Sequence, residues 1–131
     1  YPLMDVRAYN GTSLAYIGDA VMSLYVREKL LSDGYQQSKI LQKESEKWVS
    51  AKAQSYFLMT LENQHFFHED EWNIVLRGRN TNPKSKAKNA DVLTYRKATG
   101  LEAIFGYLYL NKQTQRLDEL WQAILTIGEF Q

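Results

Sequence analysis

Proline is scarce in this chain, and its scarcity limits the fold more than any other feature of the sequence. The only two prolines among 131 residues are Pro2 and Pro83. Proline breaks the interior of a helix, so the long stretches without it are free to form helices. Apolar residues in these stretches recur at intervals of three and four, and no segment keeps the alternation of a strand. The sequence therefore predicts an all-α protein.

Two predicted helices are apolar nearly all round, which is typical of helices buried at the centre of a domain. One contains LAYIGDAVMSLYV, residues 14–26, and the other contains GLEAIFGYLYL, residues 100–110. Each holds a single acid in its apolar part, Asp19 in the first and Glu102 in the second. We expect a helical bundle with these two helices buried at its centre.

Capping residues indicate where several helices begin and end. The first helix is expected to start with Ser13 as its N-cap and to end near Ser32, with Gly34 just beyond it. Ser38 is predicted to cap the second helix, and Asp91 to cap the second apolar helix.

The two acids raise the question of what neutralises them, because a carboxylate in apolar surroundings is costly unless it is paired. If the two apolar helices cross, small residues beside Asp19 and Glu102 allow a close approach, and the carboxylates would repel each other. A divalent metal resolves this repulsion, and a few hard oxygen ligands are typical of Mg²⁺. Alternatively, Asp19 caps a helix, and Glu102 pairs with Arg96 or Lys97 or simply emerges at a helix surface. Spacing alone leaves both interpretations open.

Length and composition exclude several other classes. A chain of this length suits a single domain, here residues 1–131. Cysteine is absent, so disulfides, thiolate zinc sites and cysteine nucleophiles are excluded. No uncharged apolar run approaches the roughly 18 residues that span a bilayer, and no signal segment opens the chain. We therefore expect a cytoplasmic protein without a membrane partner.

One stretch of the chain has charges of a single sign although the net charge is only +1. Between Trp72 and Ala90 there is no acid, and the cations there are Arg77, Arg79, Lys84, Lys86 and Lys88. Basic residues on a loop suit the phosphates of a nucleic acid. The alternative is a solvated lysine loop that aids solubility.

The ordered set of these motifs resembles the endonuclease domain of the ribonuclease III family. The hallmark of that family is Leu-Gly-Asp-Ala-Val, followed later by Asp-x-x-Glu-Ala within an apolar helix. Asp19 falls on the hallmark aspartate and Glu102 on the later glutamate, and both positions are metal ligands in the family. Three further family acids are replaced here, by Thr12, Ala15 and Thr99.

These departures resemble the Mini-ribonuclease III branch of the family, which lacks a double-stranded-RNA-binding domain. That branch has the LAYIGDA form, an RGRN segment and a Tyr-Arg pair. The RGRN segment here is residues 77–80, and the pair is Tyr95 and Arg96. The resemblance covers nearly the whole chain.

The resemblance implies a homodimeric, all-helical endoribonuclease that cleaves double-stranded RNA with Mg²⁺, for which Mn²⁺ can substitute. It implies catalysis and metal binding by Asp19 and Glu102. Because Thr99 lies three residues before Glu102 on the same helix face, we expect it to assist through its hydroxyl or a bound water. It further implies a role in maturing large-subunit (23S) ribosomal RNA, with a large-subunit ribosomal protein as a further partner. The predicted RNA contacts are Arg77, Arg79, Asn80, Lys84, Lys86, Lys88, Tyr95 and Arg96.

Two other classes of function compete with the nuclease. The first is a helical RNA-binding or ribosome-assembly module that kept the fold and lost catalytic acids. The second is a protein-interaction domain in which Asp19 only caps a helix. Metal-dependent cutting of duplex RNA would distinguish the nuclease from both.

Overall fold

The computed structural model describes residues 5–81 and 89–131, and these residues form helices. A 3₁₀ turn, Val6–Ala8, is followed by six α-helices. They are α1 (Gly11–Ser32), α2 (Ser38–Val49), α3 (Ala51–Asn63), α4 (Glu69–Arg79), α5 (Asn89–Leu110) and α6 (Thr114–Ile127). No strand occurs within the described residues, so the predicted all-α class is confirmed.

The two apolar helices, α1 and α5, pack against each other at the centre of the bundle. Helix α5 also packs against α3, α4 and α6, and α1 packs against α2 and α4. The shared core consists of fully or almost fully buried side chains from these helices, namely Leu14, Met22, Val26, Phe57, Leu61, Leu101, Ile104, Phe105, Leu108, Leu120 and Ile124. Both apolar helices are therefore central, as the sequence predicts.

The crossing of α1 and α5 depends on two glycines. A Cβ atom at Gly18 would clash with the backbone carbonyl of Glu102, and one at Gly106 would clash with the carbonyl of Leu14. The two backbones are thus in direct contact at both points. Because Asp19 follows Gly18, this contact places Asp19 next to the turn of α5 that carries Glu102.

One side of α1 remains uncovered, and Asp19 lies on an exposed part of the helix. Tyr16 and Leu24 are 77% and 58% exposed although both are large and apolar. The sequence predicts a helix buried nearly all round, but this side of α1 is exposed in the structure. Full burial of α1 would need a further apolar surface against this side.

The observed caps differ in part from the predicted ones. The N-cap of α1 is Asn10, three residues before the predicted Ser13, and the Asn10 side chain accepts from the Ser13 backbone N–H at 2.8 Å. Helix α2 begins at Ser38 without a side-chain capping bond. Asp91 lies within the first turn of α5, which begins at residue 89. The end of α1 agrees with the prediction, since Gly34 follows it with a φ of +98°.

A buried ion pair connects α4 to α6. Glu71 is 2% exposed and accepts two hydrogen bonds from Arg116, at 2.7 and 2.8 Å. Arg116 also donates to the carbonyl of Phe66 at 2.6 Å, and Glu71 accepts from the backbone N–H of His68 at 2.9 Å. Burial by itself raises the pKa of Glu71, but the hydrogen bonds from Arg116 and His68 lower it below its usual value. The pair therefore holds the start of α4, the preceding loop and α6 together.

Candidate active site

Asp19 and Glu102 line the same solvent-reachable hollow between α1 and α5. The hollow has a volume of about 350 Å³ and is lined by Thr12, Ala15, Tyr16, Asp19, Thr81, Tyr95, Thr99 and Glu102. The residues from α1 are Thr12, Ala15, Tyr16 and Asp19, each within about one turn of the next. The residues from α5 are Tyr95, Thr99 and Glu102, with the same spacing, and Thr81 lies just beyond the end of α4. The crossing of the two helices thus creates the hollow.

The Asp19 and Glu102 carboxyl groups lie next to each other in this hollow. Burial of Glu102, together with the hydrogen bond and charge of nearby Asp19, raises the pKa of Glu102 to about 8. A hydrogen bond from Gln54 opposes this rise. A bound cation would favour the ionised form of Glu102, because an opposite charge stabilises a carboxylate.

Hard oxygen atoms dominate the polar lining of the hollow. Thr99 is 6% exposed, and its hydroxyl donates to the carbonyl of Tyr95 at 2.9 Å. The Thr81 hydroxyl donates to the carbonyl of Gly78 at 2.7 Å. Because both hydroxyl protons are used in these bonds, the oxygen lone pairs are left to accept from water or to contact a cation.

This set of donors fits Mg²⁺ with few protein ligands. Within residues 5–81 and 89–131, no three His, Cys, Asp or Glu side chains come together as a metal-binding group. Two carboxylates with threonine hydroxyls nearby leave most coordination positions to water and substrate, which is the arrangement that Mg²⁺ commonly adopts.

The three positions at which family acids are replaced all face this hollow. Thr12, Ala15 and Thr99 line it together with the two remaining acids. The replacement therefore removes charge from the hollow itself and not from another part of the fold. It also explains why only two carboxylates remain here.

The predicted RNA contacts other than Arg77 differ in their position relative to the hollow. Tyr95 is 44% exposed and lines the hollow. Asn80 is exposed at the end of α4, beside Thr81, and Arg79 and Arg96 are half-buried. Lys84, Lys86 and Lys88 lie outside the described residues.

Arg77 has a structural environment that the sequence did not reveal. Its guanidinium donates from Nη1 to the carbonyls of Arg7 and Tyr9, at 2.6 and 2.9 Å. It thereby holds the segment that leads into α1. The prediction that Arg77 contacts RNA stays a prediction, but part of its hydrogen-bonding capacity is used within the chain.

Sequence reasoning missed three residues in or beside the hollow. Tyr16 could have been found, because Thr12, Tyr16 and Asp19 share one face of a helix at intervals of four and three residues. Thr81 directly follows the RGRN segment and could have been included with it. No local pattern points to Gln54, because its contact with Glu102 joins different helices.

Comparison with known proteins shows the family. The Ribonuclease III domain model matches residues 12–113. Mini-ribonuclease 3 of Streptococcus pneumoniae is 45% identical to this chain, over 90% of this chain and 92% of that protein. Mini-ribonuclease 3 of Staphylococcus aureus is 43% identical, over 93% and 91% respectively.

A solved structure shows the same fold. A crystallised protein from Fusobacterium nucleatum superposes with a TM-score of 0.82 at 32% identity, over 95% of this chain and 99% of that one. The matching family model, the similar sequences and the solved structure are therefore consistent with one another.

The chain belongs to the ribonuclease III family. Within it, the sequence is similar to the Mini-ribonucleases 3 along most of its length. It is therefore an endoribonuclease of the ribonuclease III type.

Proposed function

We propose that this endoribonuclease is Mg²⁺-dependent, cleaves double-stranded RNA and matures large-subunit (23S) ribosomal RNA precursors in the cytoplasm. The observation that carries the proposal is the placement of Asp19 and Glu102 side by side in one open hollow. The described fold does not require these two adjacent carboxylates for any other role. Such a pair is suited to hold a cation against a phosphate backbone.

In this proposal Asp19 and Glu102 hold the metal, and Thr99 assists through a bound water. When bound, Mg²⁺, or Mn²⁺ in its place, stabilises charge on the phosphate and the leaving oxygen and favours ionisation of water at neutral pH. The chain contributes two carboxylates whose relative position is determined by the contact at Gly18. With so few protein ligands, we expect weak metal binding in the absence of RNA.

The surroundings of the hollow suit a duplex. Duplex RNA presents phosphates and 2′-hydroxyls, while its deep major groove hides the bases. Tyr95 lies at the hollow, and Arg79 and Asn80 lie at the adjacent end of α4. Lys84, Lys86 and Lys88 follow directly in the sequence and extend the predicted phosphate contacts.

The uncovered side of α1 supports a homodimer. Large exposed apolar side chains there include Tyr16, Leu24 and Tyr109. Beside them lies a second, largely apolar hollow of about 450 Å³, lined by Ile17, Ala20, Val21, Leu24, Tyr25, Glu28, Tyr109 and Leu117. Contiguous exposed apolar surface of this kind marks an interface. Because Tyr16 also lines the hollow with the carboxylates, a second copy seated here would lie beside the site.

The decisive experiment compares the wild type with Asp19→Asn and Glu102→Gln on a duplex RNA with Mg²⁺. Both variants remove a charged oxygen ligand at nearly constant volume, so we expect cleavage to be lost while helicity and self-association are retained. A large-subunit ribosomal protein, proposed as a further partner that presents the RNA, can be added to ribosomal RNA precursor in a second assay. Normal cutting by Asp19→Asn would end this proposal.

The main rival is an RNA-binding module that has lost catalysis. The replacement of three family acids favours it, whereas the retained carboxylate pair and the Mini-ribonuclease 3 relatives favour the nuclease. Salt-dependent binding of duplex RNA by the wild type, without cutting at any Mg²⁺ or Mn²⁺ concentration, would be the result expected of the rival.

A further inference from the structure

The segment that leads into α1 carries an exposed arginine outside the set of predicted RNA contacts. Arg7 lies in the 3₁₀ turn Val6–Ala8, and its side chain is 73% exposed. Its neighbours Val6 and Tyr9 are half-buried and pack against the core, and the turn itself packs against α5. Arg7 therefore extends into solvent from a turn that is anchored on both sides.

Arg77 holds the backbone of this turn. Its Nη1 donates to the carbonyls of Arg7 and Tyr9, at 2.6 and 2.9 Å. Arg77 is half-buried in the last turn of α4, and a guanidinium has donors but no acceptor. The Arg77 guanidinium is therefore engaged with the chain itself, whereas the Arg7 guanidinium is available to a partner.

The anchored turn is joined to the hollow that contains the two acids. A Cβ atom at Gly11 would clash with the carbonyl of Arg77, so the start of α1 touches the end of α4 directly. Thr12, the next residue, lines the hollow, and so does Thr81 just beyond the end of α4. Arg7 therefore lies on the side of the site where α4 ends and where further RNA contacts are predicted.

The ion pair that Arg7 forms with Asp5 is weak. The Arg7 Nε lies 3.7 Å from the Asp5 Oδ1, and both side chains are more than half exposed. Exposed pairs of this kind contribute little to stability and are screened by salt. The same Asp5 oxygen accepts from the Arg7 backbone N–H at 3.0 Å. A phosphate can therefore replace Asp5 at the guanidinium while Asp5 continues to cap the turn.

We propose that Arg7 contacts a phosphate of the duplex, and that Arg77 is the positioning residue that holds Arg7 in place for this contact. The inference rests on the proposed function, because it adds a contact to the surface that would hold the RNA. A guanidinium matches a phosphate with two parallel N–H donors. Because the backbone of the turn is already fixed, less conformational freedom is lost when the side chain binds. Arg77 acts through Arg7 and does not touch the RNA.

The first test measures binding of a duplex RNA in EDTA, which prevents cleavage, at several KCl concentrations. We expect Arg7→Met to weaken binding about three- to tenfold, between the effects of losing an exposed ion pair and a hydrogen bond to a charged group. The log–log slope of affinity against salt should flatten by about one, as for one lost phosphate contact. Asp5→Asn keeps the capping oxygen and removes the competing charge, so it should bind more tightly than the wild type.

Arg27→Met is the matched control for the loss of a positive charge. Arg27 is also an exposed arginine, but it lies about two turns beyond Asp19 on α1 and lines a different hollow, between α1 and α2. We expect Arg27→Met to bind RNA as the wild type does. Equal losses in Arg7→Met and Arg27→Met would show an effect of net charge alone and would overturn the contact.

Combining variants shows whether Arg77 acts through Arg7. Arg77→Met should weaken binding and flatten the salt slope about as much as Arg7→Met does. The double variant should bind no more weakly than either single variant, because losses are not additive when one residue acts through the other. Additive losses, with the slope flattened by about two, would show that Arg77 itself contacts a phosphate and would overturn its positioning role.

A second readout uses the wild-type protein and needs no folded Arg77 variant. In the NMR spectrum of the ¹⁵N-labelled full chain, the Nε–H signal of Arg7 is identified by its absence in Arg7→Met. Adding duplex RNA in EDTA should shift this signal and should leave the Nε–H signal of Arg77 close to its free position. An Arg7 signal that ignores the RNA, or an Arg77 signal that shifts as far, would contradict the assignment.

The outcomes separate this inference from the proposed function. If the wild type cuts duplex RNA while Arg7→Met binds it as tightly as the wild type, the contact is wrong and the nuclease stands. If Asp19→Asn cuts normally, the proposed metal site is wrong, and the binding measurements still decide the role of Arg7. If the wild type does not bind duplex RNA at all, both proposals are wrong.

Discussion

At the scale of single residues, the site depends on a glycine, which has no side chain, as much as on the side chains that line the hollow. Gly18 allows the backbone of α1 to touch the carbonyl of Glu102, and its neighbour Asp19 is thereby brought to the second acid. A larger residue would separate α1 from α5, whose facing surfaces are already packed together. Close-packed interiors accommodate such a change poorly.

We therefore expect Gly18→Ala to lower the free energy of unfolding by about 1 to 3 kcal/mol or more, the usual range for overpacking. Cleavage should fall further than stability explains, because the carboxylates move apart. Urea denaturation and duplex-RNA cleavage measure the two effects. Gly34→Ala is the matched control: nothing lies within 4 Å of a Cβ there, so only backbone strain at its φ of +98° remains. Equal losses at both glycines would contradict the proposed contact.

Two arginines two residues apart are expected to have different roles. Arg77→Met removes the hydrogen bonds to the Arg7 and Tyr9 carbonyls, so amide hydrogen exchange at Ala8 and Tyr9 should accelerate. Arg79→Met should leave that exchange unchanged, weaken binding to duplex RNA and flatten its dependence on salt, as expected when a phosphate contact is lost. Unchanged exchange in Arg77→Met would show that the N-terminal segment is held by other contacts.

At the scale of helices, the bundle is held at one end by a charged pair in an apolar setting. Glu71 and Arg116 connect α4 to α6, and the Arg116 guanidinium also lies 4.1 Å from the Phe66 ring centroid. Such pairs are costly to break because the remaining partner stays buried without compensation. The net stability that such a pair provides is small when the reference is a pair of apolar residues of similar volume.

We expect Arg116→Met to destabilise the protein by about 3 to 5 kcal/mol at neutral pH, since Glu71 is left buried without its partner. The double variant Glu71→Met with Arg116→Met should recover most of that loss. Thermal unfolding of the wild type, both single variants and the double variant gives the coupling directly. A double variant no more stable than Arg116→Met would argue against this account.

The same pair predicts a dependence on pH. The pKa of Glu71 is lower in the folded protein than in the unfolded chain, so the unfolded chain binds the proton more readily. The stability from this group is therefore fully present above the unfolded pKa of about 4.5 and is lost as pH falls through the folded value. Below about pH 4.5 the Tm of the wild type should therefore fall relative to the Tm of the double variant.

At the scale of the whole molecule, α1 is central yet covered on one side only. Its exposed apolar side chains lie next to the hollow that holds the carboxylates, so self-association and catalysis are expected to be linked in space. None of the helices in the described part of the chain is long and apolar enough to cross a membrane. We expect a second copy of the chain to cover the exposed apolar side chains of α1.

Leu24 and Leu31 provide a matched test of this expectation. Both are leucines on α1 and both are 58% exposed, but Leu24 lines the apolar hollow beside Tyr109 whereas Leu31 lines a different one. We expect Leu24→Glu to convert the proposed dimer to a monomer in sedimentation velocity, and Leu31→Glu to leave the protein dimeric. The opposite pattern would place the dimer surface at the Leu31 end of the helix.

The sequence alone was sufficient for the helices and for the identity of the two acids. Helix positions follow from short-range spacing and the scarcity of proline, although the predicted caps Ser13, Ser38 and Asp91 lie inside helices. Asp19 and Glu102 stand out because each is a lone charge in an apolar run. The tertiary structure decided which residues share the hollow, that Asp19 is exposed and that Arg77 holds the N-terminal segment. These contacts join residues on different helices, and their geometry is determined by how the helices cross, which no local pattern in the chain specifies.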